Sequence, residues 1–194
     1  MAGHFIYFRA MSYCSYTKGI PDKNNVHVRY HDHAYGFPIT TDDELFCLLV
    51  LEINQAGLSW NTILVKEENF RKAYRQFSIS KVANFSEKDV ERLMQDAGII
   101  RNRLKIQAAI YNAGIIRTLQ KSHGSFLAWL DAHHPMEKAE WVKLFKKTFR
   151  FTGGEIVGEF LMSTGYLPGA HDTDCPVHAQ VLRSKPAWTR KIKK

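Results

Sequence analysis

One carboxylate stands where the chain is otherwise apolar. Leu45, Phe46, Leu48, Leu49, Val50 and Leu51 leave almost no polar side on a helix, and Glu52 falls on the face that Leu48 and Leu49 cover. A carboxylate there must be paired, hydrogen-bonded, open to a cavity or neutral, because an unpartnered buried charge is too costly to keep. Glu52 is therefore a pocket candidate. The plainer reading is a helix-end Glu that reaches water or an Arg.

A second group has metal-ligating types. His171 and Cys175 are separated by three residues and can reach one tetrahedral ion, and Cys14 with His31, from the other end of the chain, would complete a Cys2His2 shell. The Cys14 to His31 spacing is not that of a zinc finger, and with nine histidines in the chain a chance H-x3-C is not rare. A third group is aromatic: Tyr16, Tyr30, Tyr35 and Trp60. Rings on two faces plus one carboxylate suit a flipped, electron-poor base, although such a cluster can equally be core. A fourth is Ala97-Gly98-Ile99-Ile100 followed by Arg101, Arg103 and Lys105. A turn between helices that exposes backbone N–H groups beside cations can hold a phosphate; the alternative is an ordinary αα-hairpin with a solvated basic face.

The elements that carry these groups read as helices. Thr41 caps a helix with Asp42, Asp43 and Glu44 in its first turn, and Gly57 supplies a left-handed stop. Ser59 caps the next, with Trp60, Ile63, Leu64, Phe70, Tyr74 and Phe77 at helical spacing. Ser86 with Asp89 forms a short-acid capping box before a helix ending near Gly98. Further helices are expected through Leu104 toward Leu119, after Ser125, over Glu137 to Phe149 and over Gly153 to Thr164. The amino end to about Pro38 is expected to be loop packed by aromatic rings. With no strand run and no repeat, the fold class is all-α, in a single domain spanning 1–194 with a basic tail over about 183–194.

The chain of 194 residues is 45% hydrophobic, enough for a substantial core, and its formal charge of +8 points toward a polyanionic partner. No run approaches the roughly 18 apolar residues of a membrane span, and Met1 to Ala10 lacks the apolar core and cleavage site of a secretory leader. Three scattered cysteines, Cys14, Cys47 and Cys175, do not make a disulfide framework. These features predict a cytoplasmic protein.

In combination the motifs resemble the 3-methyladenine DNA glycosylase I (Tag) family from about Cys14 to Cys175. The matching stretches are Tyr30-His31-Asp32 with Tyr35-Gly36, Leu51-Glu52 with Gln55-Ala56-Gly57-Leu58-Ser59-Trp60, Gln95 to Arg101 with Lys105-Ile106-Gln107-Ala108, Phe149-Arg150-Phe151 with Gly153, and His171-x3-Cys175. The resemblance implies a helix-hairpin-helix glycosylase fold, with the hairpin over about 87–121 and a structural zinc ion on Cys14, His31, His171 and Cys175. It implies Glu52 for base recognition and catalysis, Tyr30, Trp60, Tyr35 and Tyr16 around the base, and Gly57, Leu58, Gly98, Ile99, Arg101, Arg103 and Lys105 toward DNA, with Leu58 filling the gap in the duplex. The implied activity is hydrolysis of the N-glycosidic bond of 3-methyladenine or a related alkylated purine in damaged DNA, without a lyase step, by a monomer. Tyr35 and Tyr16 stand where the family usually has Trp, Ile53-Asn54 where Gly-Gln is common, and Gly158 and Met162 where Tyr and Gln are usual. These departures open an alternative, a DNA-binding protein of the same fold whose altered pocket does no chemistry.

Overall fold

The computed structural model describes residues 11–190, so the opening segment Met1–Ala10 and the last residues of the basic tail, 191–194, lie outside the described residues. The described residues form helices α1 (Tyr13–Lys18), α2 (Val26–His33), α3 (Asp42–Gln55), α4 (Trp60–Ala73), α5 (Ile79–Val82), α6 (Glu87–Gln95), α7 (Arg103–His123), α8 (Phe126–His133), α9 (Lys138–Thr148), α10 (Gly154–Ser163) and α11 (Pro176–Arg183), and contain no strand. The all-α expectation holds. The contacts group the described residues into two compact units, one of 39–160 and one joining 11–38 to 161–190.

In the unit of 39–160, α3 is the centre, buried at every residue from Leu45 to Asn54. Thr41 begins it by accepting from the Glu44 amide. Its first-turn Asp42 also accepts from the amides of Phe126 and Leu127 at 2.8 and 3.0 Å, so one carboxylate satisfies two of the orphan donors of α8. Helices α4, α5, α7 and α8 pack on α3. Phe46, Phe70, Tyr74 and Phe77 fill one part of the core, and Phe126, Phe145 and Phe160 another. Each fully buried ring contributes roughly 1.5–3 kcal/mol. Ser59 caps α4, Ser125 caps α8, and Ser86 with Asp89 forms the capping box of α6, all as the sequence indicates.

In the other unit the amino-terminal segment is not the expected loop. It contains α1, capped by Ser12, and α2, capped by Asn25. Helices of 6 and 8 residues are too short to show a sustained apolar period, and they owe their stability to packing. The expected aromatic packing is present: Tyr13 contacts Tyr16, His27, Tyr30, His31 and Tyr35. The tail is also partly folded. Pro176 opens α11, whose Val177 and Val181 are buried. A 3-10 turn over Ala187–Thr189 follows, where the Trp188 amide donates to the Gly165 carbonyl.

Candidate active site and metal centre

Cys14 on α1, His31 on α2, His171 in the loop before α11 and Cys175 at its N-cap bring one ligand atom each to within 4.8 Å of all the others. Cys14 Sγ lies 3.5 Å from His171 Nδ1 and 3.3 Å from His31 Nε2; the two ring nitrogens are 3.2 Å apart, and Cys175 Sγ is 3.8 Å from His31 Nε2. Ligands at about 2.0–2.3 Å around a tetrahedral ion are separated by roughly 3.3–3.8 Å, so the four fit a metal ion.

Each histidine is oriented by its other nitrogen. His31 Nδ1 donates to Asp32 Oδ1 at 2.7 Å. His171 Nε2 is 2.7 Å from the Tyr35 carbonyl, which can only accept, so this nitrogen carries the proton and Nδ1 presents its lone pair to the cluster. Burial keeps the His171 ring neutral by lowering its pKa, and burial pushes the Cys14 thiol up to about 12 where no cation stands beside it. The loops are drawn close by Gly36, whose φ is +82° and where a Cβ would come within 2.8 Å of the Ala170 methyl. Asp32 and the Tyr35 carbonyl are functional groups that sequence reading passed over. Adjacency to His31 was the signal for the first, and a main-chain acceptor leaves none.

The aromatic candidates of this unit gather around Tyr13. Tyr30 and Tyr35 have ring centroids 5.7 Å apart, and Tyr30 Oη donates to Ser163 Oγ at 3.1 Å. Tyr35 is buried against His171 at 5.6 Å, whereas Tyr16 is partly exposed.

In the unit of 39–160 Glu52 is buried in the last turn of α3. Burial, and then the charge of Glu159 on α10, push its carboxyl well above the ordinary value of 4.5, because both disfavour the charged form. Trp60, half-buried, opens α4. Between them the chain turns at Gly57, φ +85°, and presents an exposed Leu58. Gln55 closes this turn, accepting from the Leu58 amide with its carbonyl and donating to the Leu58 carbonyl with its side chain.

Lys105 braces the same turn. Its ammonium donates to the carbonyls of Asn54 and Ala56 at 3.0 and 2.7 Å, the end of α3 where the helix dipole is negative. That commitment makes it a support of the Gly57-Leu58 turn, where the sequence pointed to a DNA contact.

The α6–α7 hairpin is held from both sides. The Gly98 amide donates to Asp96 Oδ1 at 2.8 Å, and Lys66 on α4 donates to the carbonyls of Ala97 and Gly98 at 3.0 and 3.2 Å. Ile99 is buried beneath, Arg103 ties α7 to Glu87 and Glu91 of α6, and Arg101 is exposed. Lys66 lies more than thirty positions from the hairpin, so only the fold reveals it.

The fold and the site together define a helical protein with a two-cysteine, two-histidine cluster and a buried acid on its central helix. Residues 21–143 match the family model of methyladenine glycosylase. The chain is 36% identical over 176 residues to DNA-3-methyladenine glycosylase 1 of Escherichia coli, an alignment covering 81% of this chain and 94% of the relative. It is 32% identical to the 3-methyladenine DNA glycosylase I of Staphylococcus aureus, whose structure addresses 3-methyladenine recognition, with a TM-score of 0.76 over 87% of this chain and 97% of that one. A further structure, 31% identical with a TM-score of 0.74 over 86% of this chain and 97% of that one, is a variant of a 3-methyladenine DNA glycosylase I in complex with 3-methyladenine. The chain belongs to the methyladenine glycosylase family.

Proposed function

We propose that this chain is a monofunctional DNA glycosylase that removes 3-methyladenine, or a closely related alkylated purine, from damaged DNA. The observation that carries this reading is the buried Glu52 carboxyl, with no basic group among the causes of its shift, in a chain of this family. A buried carboxyl whose charged form lacks a partner is poised for a cation. Alkylation at N3 makes adenine cationic, and an entering positive charge favours the carboxylate that burial disfavours. Unmodified adenine, being neutral, gains nothing from it.

The chemistry then needs little acid catalysis. The nucleotide is extruded from the duplex, at least cost where the lesion already stacks poorly. The Trp60 indole offers a face for stacking, and Glu52 accepts from the N–H groups of the base. The bond between the sugar carbon and the base nitrogen breaks with its electron pair passing to the base. A water oxygen bonds the sugar carbon and sheds a proton, leaving an abasic site. Leu58 fills the gap, and Gly98, Ile99 and Arg101 of a helix-hairpin-helix element, supported by Arg103, meet the backbone.

Cys14, His31, His171 and Cys175 would hold one zinc ion, which supplies a cross-link between α1, α2 and the segment before α11 and takes no part in bond breaking. The free state of the described cysteines suits a reducing cytoplasm. Among the described residues no helix is long and apolar enough to cross a membrane. We read the enzyme as a monomer acting on DNA.

The test is release of free base from methylated DNA, resolved by chromatography, for the wild type and Glu52→Ala. Release of 3-methyladenine that collapses in the variant supports the reading. A wild type that binds DNA and releases no base replaces it with the non-catalytic alternative.

A further inference from the structure

The segment Phe149 to Gly154, between α9 and α10, is built with more care than a connection requires. Asn112, fully buried on α7, clasps the backbone of Arg150 with both ends of its amide: Nδ2 donates to the Arg150 carbonyl at 3.1 Å, and the Arg150 amide donates to Oδ1 at 2.8 Å. The next residue, Phe151, sits at φ +59° and is 44% exposed. Glycine is the residue that suits this backbone, and a bulky side chain there costs on the order of 1 kcal/mol. The ring is only partly buried, so much of its apolar face stays open to a partner.

Arg150 is placed beside it. Its guanidinium lies 3.9 Å from the centre of the Tyr111 ring, itself 39% exposed, and among the described residues it has no carboxylate partner within ion-pair distance. Tyr111 continues a stripe on α7 in which Leu104, 62% exposed, and Gln107 precede it at helical spacing. That stripe begins beside Arg101, at the hairpin. Leu104 and Tyr111 are about 10 Å apart along the helix axis, the axial rise of about three base pairs of duplex.

We propose that Tyr111, Arg150 and Phe151 form a second DNA contact, continuous with the α6–α7 hairpin, in which Arg150 binds a backbone phosphate and the Phe151 ring packs on the sugars of the same strand. The occupant is duplex DNA, because the surface pairs the unneutralised Arg150 guanidinium with exposed flat rings and runs from the element that faces the backbone in the proposed function, on which this inference rests. The contact touches no base edge, so it is blind to sequence and to the lesion.

Fluorescence anisotropy with two duplexes, one undamaged and one carrying an abasic-site analogue, tests it. Phe151→Gly removes the ring while suiting the backbone, so its melting temperature stays at or above that of the wild type. Its affinity for both duplexes falls about tenfold. Arg150→Met lowers the slope of log K against log salt by about 0.9, the loss of one phosphate contact, whereas Phe151→Gly leaves that slope unchanged. Unchanged affinity of both variants for both duplexes overturns the proposal. A wild type that excises base while Phe151→Gly binds normally overturns it alone, and a wild type that releases no base yet loses affinity through these variants overturns the glycosylase reading alone.

Discussion

Asp32 accepts the Nδ1 proton of His31 at 2.7 Å, which leaves Nε2 as the nitrogen that faces Cys14 and Cys175. The two residues are adjacent on α2, so one turn of helix supplies both a candidate metal ligand and the group that sets its tautomer.

Asp32→Ala keeps all four ligands and removes only that orientation. Loss of such a partner typically costs 10–100-fold in metal affinity. Competition with a chelator at fixed pH should show a loss in this range while the fully loaded variant retains its helical content. Equal retention of metal by the two proteins would mean that the ring is held by its packing against Tyr13 and His171 alone.

Glu52 should weaken the fold it serves. Its folded carboxyl holds a proton more tightly than the unfolded chain does, so stability falls as pH rises from 4.5 toward the raised value. Glu52→Gln, which cannot ionise, should therefore melt higher than the wild type near neutral pH, by about 2–4 °C for about 1 kcal/mol. The difference should vanish near pH 4. Base release should move the opposite way: rising with pH in the wild type as the carboxylate forms, and low and flat in Glu52→Gln. A wild type whose melting point is independent of pH between 4 and 8, at matched metal load, contradicts the assignment.

The parts of this fold legible in the sequence are those set locally. Thr41, Ser59 and Ser125 begin helices because a hydroxyl satisfies an amide two or three residues on, and Gly57 ends one because its φ of +85° suits glycine. Helices α1, α2 and α11 escaped because their stability comes from neighbours distant in the chain. The grouping of Cys14, His31, His171 and Cys175 is implied by family resemblance, whereas spacing leaves it open. The roles of Lys66, Lys105 and Asn112 depend on carbonyls and amides brought to them by folding, and a lysine in a sequence looks the same whether it meets solvent, phosphate or the end of a helix.

Lys105 illustrates the difference. A surface lysine contacting phosphate can be replaced by methionine with little effect on stability, within about 0.5 kcal/mol. Lys105→Met should instead leave the Asn54 and Ala56 carbonyls short of a donor and cost roughly 1–3 kcal/mol. Thermal or denaturant unfolding measures this directly. A melting point within a degree of the wild type, combined with a lower salt slope of DNA binding, would return Lys105 to the phosphate.

Leu58 gives the complementary case, a large apolar side chain at the tip of the turn that Lys105 and Gln55 hold. It is exposed, so Leu58→Ala creates no cavity and should leave stability within about 0.5 kcal/mol of the wild type. On the proposed function the cost appears when a nucleotide leaves the stack, since the side chain assigned to the gap is gone and the extruded state loses a contact absent from the intact duplex. Base release from duplex DNA should fall at least about tenfold, in line with a lost contact of roughly 1–2 kcal/mol. Release from single-stranded DNA, where no stack has to be refilled, should change far less. Equal losses on the two substrates would place Leu58 against the base itself, and no loss on either would leave it an ordinary exposed leucine.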